Sequence, residues 1–284
     1  MPPRKSPISS RKVLNEDIIA RAGIVGAIRA FFDSQGFIEV DTPVRIAAPA
    51  PEPNIDCPPC GGKFLRASPE LQMKKLLAQG MEKIYQIGPC FRNGENGSRH
   101  NDEFTMIEWY RKGCDDADIM RDAAELLNHL GVKSEPEVLS VRDAYRKFAG
   151  WDPFEVFDHN RFDFDMSEKI EPNLDGWTFL SGYPPECASL AKIEAGIAQR
   201  WELYSGSLEI ANCFTELCDE SEQRMRFAAA REQRRRLGEA DYPLDEEFLA
   251  SLPLIGSAAG VALGIDRLVM ALLGKSTISQ ARIL

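Results

Sequence analysis

The stretch from Lys83 to Arg111 constrains the fold most, because it holds two strand-like runs joined by turn chemistry and flanked by groups that bind anions. The apolar run from Lys83 to Phe91 and the alternating run from Glu103 to Arg111 both read as strands, with Asn93-Gly-Glu-Asn-Gly-Ser98 as the loop between them. Period-2 alternation sets Phe104, Met106, Glu108 and Tyr110 on one face of the second strand, and Thr105, Ile107 and Trp109 on the other. A carboxylate and a phenol sharing a face with Phe104 suit a pocket lining better than an outer sheet surface. Arg92, and Arg99 with His100, bracket the loop, and a guanidinium is the preferred bidentate partner of a phosphate. A nucleotide site accounts for all of this. A half-exposed hairpin with a charged turn is the local alternative.

A second segment bears on that choice. Gly260 to Gly274 reads as a short buried strand, a glycine break, and a helix that starts near Asp266 as its N-cap and stops at Gly274. Arg267 then falls in the first helical turn, where a cation opposes the helix dipole at a cost of about 0.3 to 1 kcal/mol unless an anion sits there. Upstream, Trp201 to Glu209 reads as a hairpin. With Ser205-Gly206 as its two-residue loop, Glu202 pairs directly across from Glu209, an arrangement that destabilises a sheet unless a divalent cation lies between the carboxylates. A different register would place both side chains in solvent. Further along, Asn212, Phe214 and Glu216 share one face, and Glu209 joins that face only if a bulge intervenes.

A chain of 284 residues can bury a large core, and no internal repeat or long linker divides it. Residues 1–17 are basic and proline-containing, precede no hydrophobic signal core, and are expected to form a disordered tail, leaving 18–284 as one catalytic domain. No apolar stretch is long enough for a membrane span. Seven cysteines at irregular spacing fit a reducing cytoplasm, and Cys57-Pro-Pro-Cys60 lacks the second pair of a structural zinc site. The net charge of −10 works against nonspecific nucleic-acid binding. The arginines 224, 226, 231 and 234–236 form a basic face on a helix after Ser221, as a solvated surface or a docking patch.

The Arg92–Arg111 segment resembles motif 2 of class II aminoacyl-tRNA synthetases, and Gly260-Val-Ala-Leu-Gly-Ile-Asp-Arg267 resembles their motif 3. Motif 1 is matched by a helix with apolar Ile24, Val25, Ile28, Phe31 and Phe32, followed by Gly36-Phe-Ile-Glu-Val-Asp-Thr-Pro43. Ser68-Pro-Glu-Leu71, His100 to Tyr110, and Glu209 to Leu217 are similar to the lysine subgroup. The resemblance runs from about Ile18 to Leu273. It is strongest to the short lysyl-tRNA synthetase paralogues, a family that ligates (R)-β-lysine onto a lysine of translation elongation factor P.

The resemblance implies an α+β fold, an antiparallel sheet flanked by helices with no N-terminal anticodon-binding barrel, dimeric through motif 1. It implies ATP and Mg²⁺ as cofactors, with tRNA an improbable partner, which agrees with the acidic charge. By resemblance, Arg92 stabilises the α-phosphate, Arg267 holds the γ-phosphate, and Glu202 and Glu209 bind magnesium. Phe104 stacks on adenine and His100 assists at the phosphates, with Asn93, Glu95, Asn101, Ile210 and Gly264 completing the ATP site. Glu108, Tyr110, Asn212 and Glu216 hold the amino acid, with Glu216 facing its ε-ammonium. Glu70 meets the other amino group, and Ser68, Phe214 and Ala262 complete the wall. Three departures stand out. Glu95 sits one residue later than the family's glutamate, the region from Asp158 to Trp177 is shorter than in related ligases, and Ala262 replaces the glycine of lysyl-tRNA synthetases. A methyl group in a packed pocket shifts relative affinities by about 1 to 3 kcal/mol, enough to disfavour α-lysine. The other readings are a truncated enzyme charging tRNA or a small acceptor with lysine, and a silent regulator that binds an amino acid.

Overall fold

The computed structural model describes residues 7–53 and 55–282. Helix α1 (Pro7–Ser34) leads into the short strands β1 (Ile38–Glu39), β2 (Arg45–Ile46), β3 (Pro59–Cys60) and β4 (Lys63–Leu65). Helix α2 (Glu70–Ala78) then precedes the long pair β5 (Lys83–Phe91) and β6 (Glu103–Lys112). Helix α3 (Asp116–His129), strand β7 (Glu137–Ser140) and helices α4 (Val141–Ala144) and α5 (His159–Asp165) follow. Strands β8 (Trp177–Tyr183), β9 (Ile193–Glu194), β10 (Ile197–Ser205) and β11 (Leu208–Thr215) come next. The last elements are helices α6 (Glu220–Leu237) and α7 (Glu246–Ile255), strand β12 (Ala258–Gly264), and helices α8 (Ile265–Leu272) and α9 (Ile278–Ala281).

The main sheet has the order β1-β5-β6-β12-β11-β10-β8-β7, with β9 on β10, and a smaller sheet runs β2-β4-β3. From β5 to β8 every pairing is antiparallel, as expected. The edges β1 and β7 pair in parallel, which makes the sheet mixed.

One face of the sheet is sealed by α1, α3 and α8. Ile28, Phe31 and Phe32 of α1 pack on Tyr85, Ile107 and Trp109, with Phe32 stacked on Tyr85 at 5.0 Å between centroids. This is the odd-numbered face of β6, so the alternation read from the sequence places Trp109 in the core. The even-numbered face is left to line a cavity.

The tail boundary needs correcting. Helix α1 begins at Pro7, a position where proline fits because the first helical N–H needs no partner. Residues 7–17 are therefore helical, and Asp17 is tied to the body by Lys275 Nζ at 2.7 Å. Residues 1–6 lie outside the described part. The basic face expected after Ser221 is neutralised: Arg224 pairs with Glu220 and Glu246, Arg226 with Glu222, Arg231 with Asp241, and Arg235 and Arg236 with Glu232. Arg234 is wholly buried.

Candidate active site

Strands β6, β12, β11 and β10 form the floor of a cavity of about 410 Å³. Every site residue expected from the sequence lines it except Asn93. The Asn93 side chain instead donates to Asp56 Oδ2 at 2.8 Å, and its backbone N–H donates to Asp56 O. Its amide is spent on fixing the loop.

One end of the cavity is built from carboxylates. Tyr110 Oη donates to Glu108 Oε2 at 2.7 Å, and Ser68 Oγ donates to Glu108 Oε1 at 2.6 Å. Ser68 Oγ also accepts the Glu70 N–H at 2.9 Å, so one hydroxyl satisfies the first N–H of α2 and orients the pocket carboxylate. Burial pushes the Glu108 carboxyl up to about 7, Glu70 adds to the rise, and the two hydroxyl donors oppose it. Tyr110 can pack here because Gly260 lies directly across from it; a Cβ on Gly260 would sit 2.0 Å from Tyr110 Cδ1.

Beneath this end lies Lys74, which the sequence reading did not single out. Its ammonium is buried, pairs with Glu70 Oε1 at 2.6 Å, and contacts Glu216. The i,i+4 spacing of Glu70 and Lys74 was the available signal. Burial raises the Glu216 carboxyl, with Lys74 opposing and Glu70 adding to the rise; the two acids raise Lys74 against its own burial. Lys74 therefore stays protonated while burial pulls Glu216 toward its neutral form, and Glu216 Oε1 has no hydrogen-bond partner among the described residues.

The β10–β11 hairpin differs from its expected register. Its turn is Gly206-Ser207, and Glu202 pairs with Asn212, while Tyr204 pairs with Glu209. Ser205 is used as the last strand residue, opposite Leu208, because Gly206 supplies the positive φ that the turn needs. A bulge falls where Leu203↔Ala211 is followed by Tyr204↔Glu209, leaving Ile210 as the extra residue. This resolves the parity question. Glu209 and Asn212, Phe214 and Glu216 all line one cavity. Glu202 is held by Arg200 and by the hydroxyls of Tyr183 and Tyr204, each at 2.7 Å.

The opposite end is cationic. The Arg92 guanidinium lies 5.1 Å from the Phe104 ring centroid and 3.6 Å from Glu95. Helix α8 is preceded by Gly264 at its N-cap, and Asp266 sits inside the first turn. Asp266 Oδ2 accepts the Thr105 N–H at 2.8 Å and Oδ1 pairs with Arg21 at 2.6 Å, tying the three motifs together instead of capping the helix. Arg267 Nη1 donates to Glu209 O at 3.0 Å and Oε2 at 3.2 Å, and Nη2 donates to His100 Nε2 at 2.6 Å. Burial and Arg267 hold His100 below its usual pKa, which leaves a neutral ring able to accept. Arg99 is occupied by Ser207 O and Oγ.

Two further wall residues had no local signal. Arg200 stacks on Tyr183 and Phe214, and its Nε donates to Asn212 Oδ1 at 3.0 Å. Glu52 reaches the cavity from the loop before β3.

Glu209 rises through burial and then through Glu202. Glu171, nearby, is pushed to about 7 by burial, then by Glu209 and Glu202. Carboxylates that repel one another in this way suit a divalent cation. Among the described residues no three His, Cys, Asp or Glu side chains are grouped to hold a metal by themselves, so phosphate oxygens would have to complete the shell.

The family described as tRNA synthetases class II (D, K and N) matches residues 7–284. The chain belongs to that family. Its match starts at the first residue of α1. The chain is also 36% identical to the elongation factor P–(R)-β-lysine ligase of Proteus mirabilis, over 93% of each chain. It is 34% identical to the protein of that name from Sodalis glossinidius, over 93% of each, and 32% to that of Avibacterium paragallinarum, over 93% of this chain and 94% of the relative. No helix among the described residues is long and apolar enough to cross a membrane.

Proposed function

We propose that the protein activates (R)-β-lysine with ATP as an acyl adenylate and ligates it to a lysine ε-amine of translation elongation factor P. The observation that carries this reading is one cavity with a carboxylate end around Glu108 and Glu216 and an arginine end at Arg92 and Arg267. A diamino acid carries two ammonium groups for the first and one carboxylate for the second.

In the first step a substrate carboxylate oxygen attacks the α-phosphorus in line, and the bond to the bridging oxygen of pyrophosphate breaks. Arg92 stabilises charge developing on the α-phosphate, and Arg267 holds the terminal phosphate. Phe104 offers its ring to adenine, with Gly264, Ile210 and Asn101 around the nucleotide. Arg267 exchanges its contact with Glu209 for phosphate oxygens, releasing that carboxylate. Glu202 and Glu209 would then hold Mg²⁺, which when bound neutralises charge across the phosphates. In the second step the protein substrate's amine attacks the acyl carbon, AMP leaves, and the ammonium gives up a proton. No side chain in the cavity forms a covalent intermediate in this scheme, so catalysis rests on positioning and electrostatics.

Ala262 pairs with Glu108 on one side and Asn212 on the other, so its methyl group lies between the residues that would grip the amino acid. This supports β-lysine over α-lysine. The exposed Ile18, Ile19 and Ile38 on the first helix and strand support a homodimer through these elements. All seven cysteines are free, which fits a reducing cytoplasm.

The test is ATP–pyrophosphate exchange with (R)-β-lysine and α-lysine in parallel, followed by transfer of labelled amino acid to elongation factor P or tRNA. Preference for (R)-β-lysine with label on elongation factor P is expected. Preference for α-lysine with label on tRNA overturns the reading, and absence of exchange with either points to a regulator.

A further inference from the structure

Each carboxylate lining the cavity has a partner except one. Glu108 is held by Ser68 and Tyr110, Glu202 by Arg200 and two tyrosines, and Glu209 by Arg267. Glu95 faces Arg92, Asp266 faces Arg21, and Glu70 and Glu216 share Lys74. Glu52 has neither a side-chain hydrogen bond nor an ion pair among the described residues. Glu52 is half-buried on the cavity wall, so its free carboxylate is open to a ligand there.

The backbone carrying Glu52 is fixed. Arg234, wholly buried in α6, donates from Nη1 to Glu52 O at 2.8 Å and to Ile55 O at 2.6 Å. Its guanidinium stacks over Tyr242 at 4.3 Å, and Tyr242 Oη donates to Asp56 Oδ1 at 2.7 Å. Asp56 in turn holds Asn93, next to Arg92. The loop is thereby clamped between α6 and the strand end that bears the α-phosphate arginine.

We infer that Glu52 is a specificity-determining residue whose carboxylate, in place of the Glu70 expected from the resemblance and found paired with Lys74, receives the substrate ammonium nearer the reacting carboxyl group. The inference rests on the diamino-acid reading proposed above. The charged groups that act on Glu52 are Glu70, Arg92, Arg200 and Lys74, the first three of them on the wall of the same cavity. An amino acid whose carboxylate lies at Arg92 and whose ε-ammonium lies at Glu216 presents its other ammonium between these groups. Burial and Glu70 raise the Glu52 carboxyl, a rise that an incoming ammonium reverses.

The experiment is a cycle between protein and ligand. Wild type, Glu52→Gln and Glu52→Asp are compared by calorimetry and pyrophosphate exchange with (R)-β-lysine, α-lysine and 6-aminohexanoic acid, which keeps the ε-ammonium and carboxylate but lacks the near amine. Loss of one charge-assisted contact predicts that E52Q weakens the preferred diamino acid on the order of 10- to 100-fold, chiefly in KM. E52Q should leave 6-aminohexanoic acid binding as in wild type, and E52D should recover part of the loss. Equal weakening of both ligands by E52Q, or of neither, overturns the inference. Wild-type preference for α-lysine would overturn the functional reading alone, since the same cycle run with α-lysine still decides the role of Glu52.

Discussion

Replacing Gly260 by alanine tests whether strand packing sets the amino-acid pocket. The added Cβ would meet Tyr110 at 2.0 Å from Cδ1, 2.2 Å from Cε1 and 2.8 Å from Cγ. All three atoms belong to a rigid, buried ring, so the ring itself must move. Overpacking of this kind costs roughly 1–3 kcal/mol. Moving the ring also breaks the 2.7 Å hydrogen bond from Tyr110 Oη to Glu108, which adds about 1.5–3 kcal/mol as a bond to a charged group. A total of roughly 2.5–6 kcal/mol of destabilisation is expected, a fall in Tm of at least several degrees for a chain of this size. Where the variant stays folded at low temperature, KM for the amino acid should rise by at least tenfold while KM for ATP changes little. Gly264→Ala is the control. A Cβ there meets nothing closer than 3.9 Å, so Tm should hold, and any loss should appear in KM for ATP. Differential scanning fluorimetry and exchange kinetics read both variants. A G260A protein with wild-type Tm and amino-acid KM would refute the reasoning.

Lys74→Met should destabilise the fold by about 3–5 kcal/mol in urea titration, because it strands Glu70 and Glu216 together in a dry site. Glu108 has a native pKa near 7 against an ordinary 4.5, so the folded state keeps a proton that the unfolded chain releases. Stability should therefore fall as pH rises from about 4.5 to 7 and flatten above, by up to about 3 kcal/mol from this group, and Glu108→Gln should remove that part of the slope in urea titrations at pH 5 and 8. Ala262→Gly should shift relative kcat/KM toward α-lysine by about 5- to 150-fold in exchange assays. Arg267→Met should lower exchange at least 100-fold while leaving amino-acid binding by calorimetry unchanged.

The parts of the site readable from sequence were those governed by local periodicity. Alternation along β6 separated the cavity face from the core face without any knowledge of neighbouring strands. The glycine break before α8 placed Arg267 at a helix start, although it misjudged which residue caps the helix, because Asp266 is drawn into contacts with Thr105 and Arg21 far away in sequence. The β10–β11 register was misread for a related reason: Ser-Gly and Gly-Ser are both acceptable turns, and the choice between them follows from packing. Glu52 and Arg200 escaped notice because nothing around them in the chain marks them out. Their placement arises from a clamp by Arg234, far away in sequence, and from the pairing of Arg200 with Phe214 across the hairpin.

The extra residue at Ile210 has a consequence for chain length in the substrate. Because the bulge restores phase, one backbone presents both Glu209 and Glu216 to the cavity, seven steps apart, or roughly 20 Å along an extended strand. In the proposed reading, the amino acid and the ATP phosphates together would be measured against a rigid ruler of peptide units. A side chain one methylene too short would leave its ammonium out of reach of the last mark, and no rotamer change at Glu209 could slide the scale to meet it.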